Sequence, residues 1–269
     1  MSRIQSTVGP SRHALHPAAG PIGKNMVTVA SGKGGVGKTW LAVTLAHAMA
    51  RGGRKVVLFD GDLGLANVDI QLGLMPDRDI GGVIGGRIKL ADAITPYPQG
   101  GFDIIAGKSG SGALAAMDQT RLTGLRDELA GLARQYDMVV LDLGAGLDNT
   151  VRTLSQNDGP KLVLTTADPT SLTDAYAFIK VMHAKRPGAD LRIVVNMADS
   201  IKDGERTYNK LLKACKGFLR IAPPLAGIIP RDAAVVDAIR HQSPLLVRHP
   251  SAPAAVQLDA VVKSLWSRK

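Results

Sequence analysis

The sequence predicts a doubly wound α/β fold, with a mostly parallel sheet and helices on both faces. Three observations predict it. Seven apolar strand signals alternate with helical stretches along the chain. Those strands are apolar throughout rather than at every second residue, as strands covered on both faces are. The first strand runs directly into a glycine-rich loop and then a helix, a strand–turn–helix corner that binds ligands in such sheets.

That corner spans residues 27–39. Val27 to Ala30 reads as the buried strand. Gly32, Gly34, Gly35 and Gly37, with Lys33 and Val36 between them, form the loop. Glycines open φ values closed to other residues, so consecutive backbone N–H groups can converge on phosphate oxygens. The helix beginning near Lys38 aims its positive end at the same place. Gly32 to Thr39 satisfies the phosphate-loop spacing G-x-x-x-x-G-K-[ST]. Lys38 is then placed for the β- and γ-phosphates and the Thr39 hydroxyl for Mg²⁺. A glycine-rich turn that binds nothing would not need strand, loop, Gly-Lys-Thr and helix in this order.

The remaining elements follow in sequence. Residues 39–51 read as a helix with Leu41, Leu45, Ala48 and Met49 on one face, stopped by Gly52-Gly53. Lys55 to Phe59 is the second strand and leads into Asp60-Gly61-Asp62. Carboxylates there suit Mg²⁺ and an attacking water, or serve only as turn and capping residues. Residues 70–100 are a polar connection with short helical pieces near Gly81–Ile84 and Lys89–Ile94. Phe102 to Ala106 is a strand, and Thr120 to Gln135 an amphipathic helix carrying Leu122, Leu125, Leu129 and Leu132. Asp137 to Leu141 is a strand closed by Asp142, the pattern of a Mg²⁺-holding carboxylate, followed by Gly144-Ala145-Gly146. Lys161 to Thr166 is a strand, and Asp168-Pro169 opens a helix. Leu191 to Val195 delivers Asn196, and Ala226 to Ile229 delivers Pro230 and Asp232. An amide and a carboxylate at those strand ends can read an adenine edge or simply make local turns. Val256 to Trp266 is a terminal helix that either closes the core or lies on a membrane surface.

Composition bounds the function. One cysteine, Cys215, excludes a disulfide framework or a cysteine-ligated cluster within the chain and fits a reducing cytoplasm. Residues 1–25 read as a disordered basic arm, without the apolar segment of a signal peptide, and 26–269 as one nucleotide-binding domain. The net charge of +10 is uneven. Residues 26–200 hold 18 basic and 18 acidic residues, whereas 201–269 hold 12 and 5. That skew marks contact with DNA or an anionic membrane, or is a solvated basic surface.

The string Lys33-Gly34-Gly35-Val36-Gly37-Lys38-Thr39 resembles the deviant Walker A motif of the MinD/ParA ATPase family, P-loop NTPases of the SIMIBI type. The resemblance extends over residues 26–266 and is nearest to the flagellar number regulator group, FlhG/FleN. Its carriers include Asp62-Leu63-Gly64-Leu65-Ala66-Asn67-Val68-Asp69, Ser171-Leu172-Thr173-Asp174-Ala175-Tyr176 and Gly227-Ile228-Ile229-Pro230. It implies an ATP-sandwich homodimer in which Lys33 reaches the partner's nucleotide. It implies that Asp62 orients the hydrolytic water, Asp60 supports the metal's water shell, and Asn196 with Pro230 and Asp232 meets the adenine. It implies a flagellar SRP-type GTPase or a transcription regulator as partner, and a cytoplasmic protein, either free or peripheral at the inner face of the cell membrane. Two departures stand out: residues 1–25 lack an Asp-Gln-Ala-type string, and Trp40 stands where a small polar residue is usual. Three functions compete: a switch ATPase, a ParA-like ATPase that binds DNA non-specifically, and a nucleotide-holding module without turnover.

Overall fold

A computed structural model describes residues 23–62, 64, 66–107 and 117–266; most of the N-terminal arm lies outside them. The strands are β1 (Met26–Ser31), β2 (Val56–Gly61), β3 (Ile94–Tyr97), β4 (Phe102–Ile105), β5 (Met138–Ala145), β6 (Lys161–Thr165), β7 (Leu191–Ala198) and β8 (Leu225–Pro230). They form one sheet in the order β3-β4-β2-β5-β1-β6-β7-β8. Every pairing is parallel except β3 with β4.

The helices are α1 (Lys38–Arg51), α2 (Val68–Leu72), α3 (Ile80–Ile84), α4 (Gln119–Leu132), α5 (Asn149–Leu154), α6 (Pro169–Lys185), α7 (Ile201–Ala214), α8 (Ala233–Arg240), α9 (Leu245–Arg248) and α10 (Pro253–Trp266). Alternate strand residues feed two cores. Val27, Val29, Leu58 and Val140 join α1, α2, α8, α9 and α10 on one face. Ala30, Val57, Phe59 and Leu141 join α3 to α7 on the other. Burial on both faces is why the strands carry no polar alternation.

Several expectations need correction. The sheet has eight strands, not seven. The missed one, β3, is a four-residue antiparallel edge strand containing Pro96, which hides its pattern. β5 does not stop at Leu141 but runs to Ala145, so Asp142 is a strand residue. β7 likewise runs past Asn196 to Ala198. Helix α1 is buried on nearly every side rather than along one stripe, because α9 and α10 cover its outer face. The terminal helix packs on β8, with Leu258 and Val261 fully buried, so its apolar face belongs to the core. Among the described residues no helix is long and apolar enough to cross a membrane.

Candidate nucleotide-binding site

Side-chain caps distinguish one helix from most others. Asp79, Asp118, Asp148, Asp168, Ser200 and Asp232 each accept a first-turn N–H of α3, α4, α5, α6, α7 and α8 respectively. The long helix α1 has Gly37 at that position, no side-chain cap and no acidic residue in its first turn. Its orphan N–H groups therefore face the loop, as an anion site requires. Gly35 and Gly37 take φ values of 76° and 90°, the left-handed region a side chain resists. Gly32 is required for space: a Cβ there would lie 2.3 Å from the Asp174 carbonyl oxygen on α6. Ser31 closes the loop's start, its hydroxyl donating to the Lys33 carbonyl at 2.6 Å.

Three adjacent strands bring the acidic groups to this loop. Asp142 on β5 is in register with Val29 of β1 and with Asp60 of β2. Both carboxylates are fully buried. Burial first, and then the charge of Asp60, push the Asp142 carboxyl up to about 8, while the Thr39 hydroxyl bonded to it and nearby Lys38 pull the other way. Burial likewise raises Asp60, to about 6, against the N–H groups that bond it. Those donors are Val68, Asn67 and Asp62, at 3.1, 3.2 and 3.3 Å. Asp60 thus holds the loop that carries Asp62. Asp62 is half-buried beside Gly144, where an added Cβ would lie 3.4 Å from its Oδ1. Oδ1 of Asp142 is buried and, among the described residues, has no hydrogen-bond partner.

This donor set fits Mg²⁺. A hydroxyl and an orphaned carboxylate oxygen, with a second carboxylate beside them, are hard oxygen ligands short of positive charge. Thr39 and Asp142 would hold the ion directly or through water, and Asp60 would support that shell. Lys38, largely buried, lies with them at the carboxyl edge of the sheet.

The other predicted residues are placed as follows. Asn196 is buried, and its amide nitrogen donates to the Val36 carbonyl at 2.8 Å. It also stands against Gly37, whose Cβ would be 2.4 Å from that nitrogen. Asn196 therefore braces the loop, a task its spacing did not reveal. Pro230 ends β8. Asp232 accepts from Ala234 N at 2.9 Å and Ala254 N at 3.0 Å, fastening α8 to α10. Its local turn-making role is realised, with one lone pair left on each oxygen. Lys33 does not extend outward. Its ammonium donates to Asp168 at 2.9 Å and to Thr170, both at the start of α6. Sequence reasoning missed this partner, since the two lie 135 residues apart. Trp40 is buried in the α1 core, and its indole N–H has no partner among the described residues.

Comparisons with known proteins agree with this geometry. Residues 27–245 match the CobQ/CobB/MinD/ParA nucleotide binding domain. The chain is 35% identical over 254 residues to the antiactivator FleN of Pseudomonas aeruginosa, covering 94% of this chain and 88% of that protein. It is 33% identical over 190 residues to the flagellum site-determining protein YlxH of Helicobacter pylori, covering 71% of this chain and 64% of that one. Among solved structures, the cell division ATPase MinD of Pyrococcus furiosus superposes with a TM-score of 0.77 at 24% identity, covering 90% of this chain and 98% of MinD. With its uncapped glycine loop set against Asp60 and Asp142, and with these matches along most of its length, the chain belongs to the MinD/ParA family of nucleotide-binding proteins.

Proposed function

We propose that this chain is a slow, dimer-dependent switch ATPase that regulates flagellar number or placement through partner proteins. One observation carries the reading: Lys38, Thr39 and a buried Asp142 with an unpartnered oxygen converge at the uncapped start of α1. The loop N–H groups of Gly34 to Thr39 cradle the phosphates of ATP, and Lys38 neutralises the β/γ pair. Bound Mg²⁺ would supply charge neutralisation at the phosphate oxygens. Asn196, held on the loop, borders the base together with Pro230 and Asp232. Asp62 orients the water that attacks. Lys33 leaves Asp168 and reaches the nucleotide of a second copy, so that ATP joins two chains and hydrolysis parts them.

The flagellar role is supported by the antiactivator and site-determining relatives. The partner that fits them is a transcription regulator or a flagellar SRP-type GTPase, met in the cytoplasm or at the inner face of the cell membrane. The basic excess of residues 201–269 favours one second reading, a ParA-like ATPase that binds DNA without sequence preference.

Phosphate release and gel-filtration size with Mg²⁺ and ATP test the first reading. Lys38→Ala is expected to lose both turnover and dimer, and Asp62→Ala to lose turnover but keep the dimer. Unchanged behaviour of both variants would overturn it. DNA retention at ~0.1 M salt that requires ATP would favour the second.

A further inference from the structure

Helix α7 is two-sided. Gly204, Thr207 and Leu211 face the sheet. A Cβ on Gly204 would lie 2.3 Å from Ile228, so the helix sits close against β8. The opposite face repeats a cation at steps of four, four and three residues: Lys202, Arg206, Lys210 and Lys213. Lys216 and Arg220 continue it beyond the helix end, and all six are exposed. Asp203 lies in the first turn of α7 and Glu205 just beyond it, and Arg206 pairs with Asp203 at 2.9 Å. From Arg206 to Pro224 there is no acidic residue at all. Between Lys202 and Lys216 the row is about 20 Å long.

The row ends in an unusual turn. Cys215–Leu219 forms a π-helical turn, a local widening that recurs at functional sites. It carries Phe218, 79% exposed. Its one ring neighbour among the described residues is Tyr176 of α6, edge-on with centroids 6.4 Å apart. Lys180, exposed one turn beyond Tyr176, adds a further cation on the neighbouring helix.

We propose that the outer face of α7, with Phe218 at its tip, is the surface by which this chain docks on an anionic lipid bilayer. The cations match headgroup phosphates over a length that a flat surface can contact at once. An exposed aromatic ring at the end of a row of cations gains from entering the headgroup–acyl boundary. A bilayer holds an apolar layer directly beneath its phosphates that an exposed ring can enter without unstacking bases, and this is the ground for choosing it over duplex DNA. The site is separate from the terminal helix α10, whose Ala254, Ala255, Leu258 and Val261 are buried in the core. The proposal rests on the peripheral-association part of the reading above and not on its nucleotide part.

Sedimentation of the full chain with phosphatidylcholine vesicles, with and without phosphatidylglycerol, tests it at ~0.1 M salt. Binding only to the phosphatidylglycerol vesicles is expected. The triple variant Lys210→Glu/Lys213→Glu/Lys216→Glu should weaken it by at least about thirtyfold. Phe218→Ala should weaken it by about fivefold while leaving its salt dependence unchanged. Both variants should keep the parental melting temperature and ATP-dependent elution volume, which separates failure here from failure of the nucleotide reading. No binding to anionic vesicles would overturn the proposal, as would binding that the triple variant leaves intact. Tight duplex DNA binding that is lost in the triple variant, indifferent to Phe218→Ala and unaccompanied by vesicle binding, would assign the surface to nucleic acid instead.

Discussion

Asp142 is held in a place that costs stability until a cation arrives. Its carboxylate is buried beside that of Asp60, with one oxygen unpaired. An unpartnered buried carboxylate oxygen costs on the order of 1–3 kcal/mol. Asp142→Asn removes the charge and keeps the shape, so nucleotide-free melting at pH 8 is expected to rise. The further rise on adding Mg²⁺ and ATP should shrink to a fraction of the parental value; calorimetry of both forms measures it. His47 poses the opposite problem. Burial first, and the nearby Arg51 charge second, hold its imidazole down at about 4 against an ordinary 6.5. The folded chain thus binds that proton less readily than the unfolded one. His47 contributes nothing against stability above pH 6.5, and stability is lost as pH falls from there towards 4. The loss attributable to it is on the order of 2–3 kcal/mol. His47→Leu should flatten the fall in urea midpoint between pH 6.5 and 4; an unchanged slope would contradict the assignment.

At the scale of elements, the site is a set of abutments with no slack. The loop after β1 leans on α6 through Gly32 and on β7 through Gly37 and Asn196. Gly32→Ala would drive a methyl into α6 backbone, which cannot yield as a side-chain end would. A cost of about 2 kcal/mol and loss of nucleotide binding are expected, read by chemical denaturation and by fluorescent nucleotide titration. Asp232 is a tie between two helices instead. Asp232→Ala deletes both of its acceptor bonds to α8 and α10 and should cost about 2 kcal/mol by the same denaturation. If Asp232 also meets the adenine, the variant loses ATP over GTP preference as well as stability, which separates its two tasks. α7 shows what sequence could have revealed: Ser200 caps Asp203 N, and Gly204, Thr207 and Leu211 follow at helical spacing. The small residues Gly204 and Thr207 masked that apolar face. The short helix α5 had only the capping Asp148 to announce it.

At the scale of the whole molecule, the Lys33 contact bears on assembly. The lysine and Asp168 side chains are 39% and 45% exposed, so their ion pair is a weak latch in water. Solvent screening leaves such exposed pairs with little net stabilisation. Asp168→Asn keeps the cap on α6 and discards the charge. It should lower the ATP concentration for half-maximal dimerisation by no more than about fivefold, measured by light scattering. A larger change would mean the latch governs assembly rather than merely parking the lysine. The sequence alone determined the doubly wound fold, the phosphate loop and the Asp142 carboxylate on the strand that became β5. Each is written in local terms: continuous apolar runs, glycines at fixed steps, Lys-Thr at a helix start. Only the tertiary structure decided that Asn196 braces the loop, that Asp60 lies beside Asp142 and that Lys33 lies on α6. These depend on groups far apart in the chain meeting across sheet neighbours, and pairwise packing of that range leaves no periodic trace in the residues that make it.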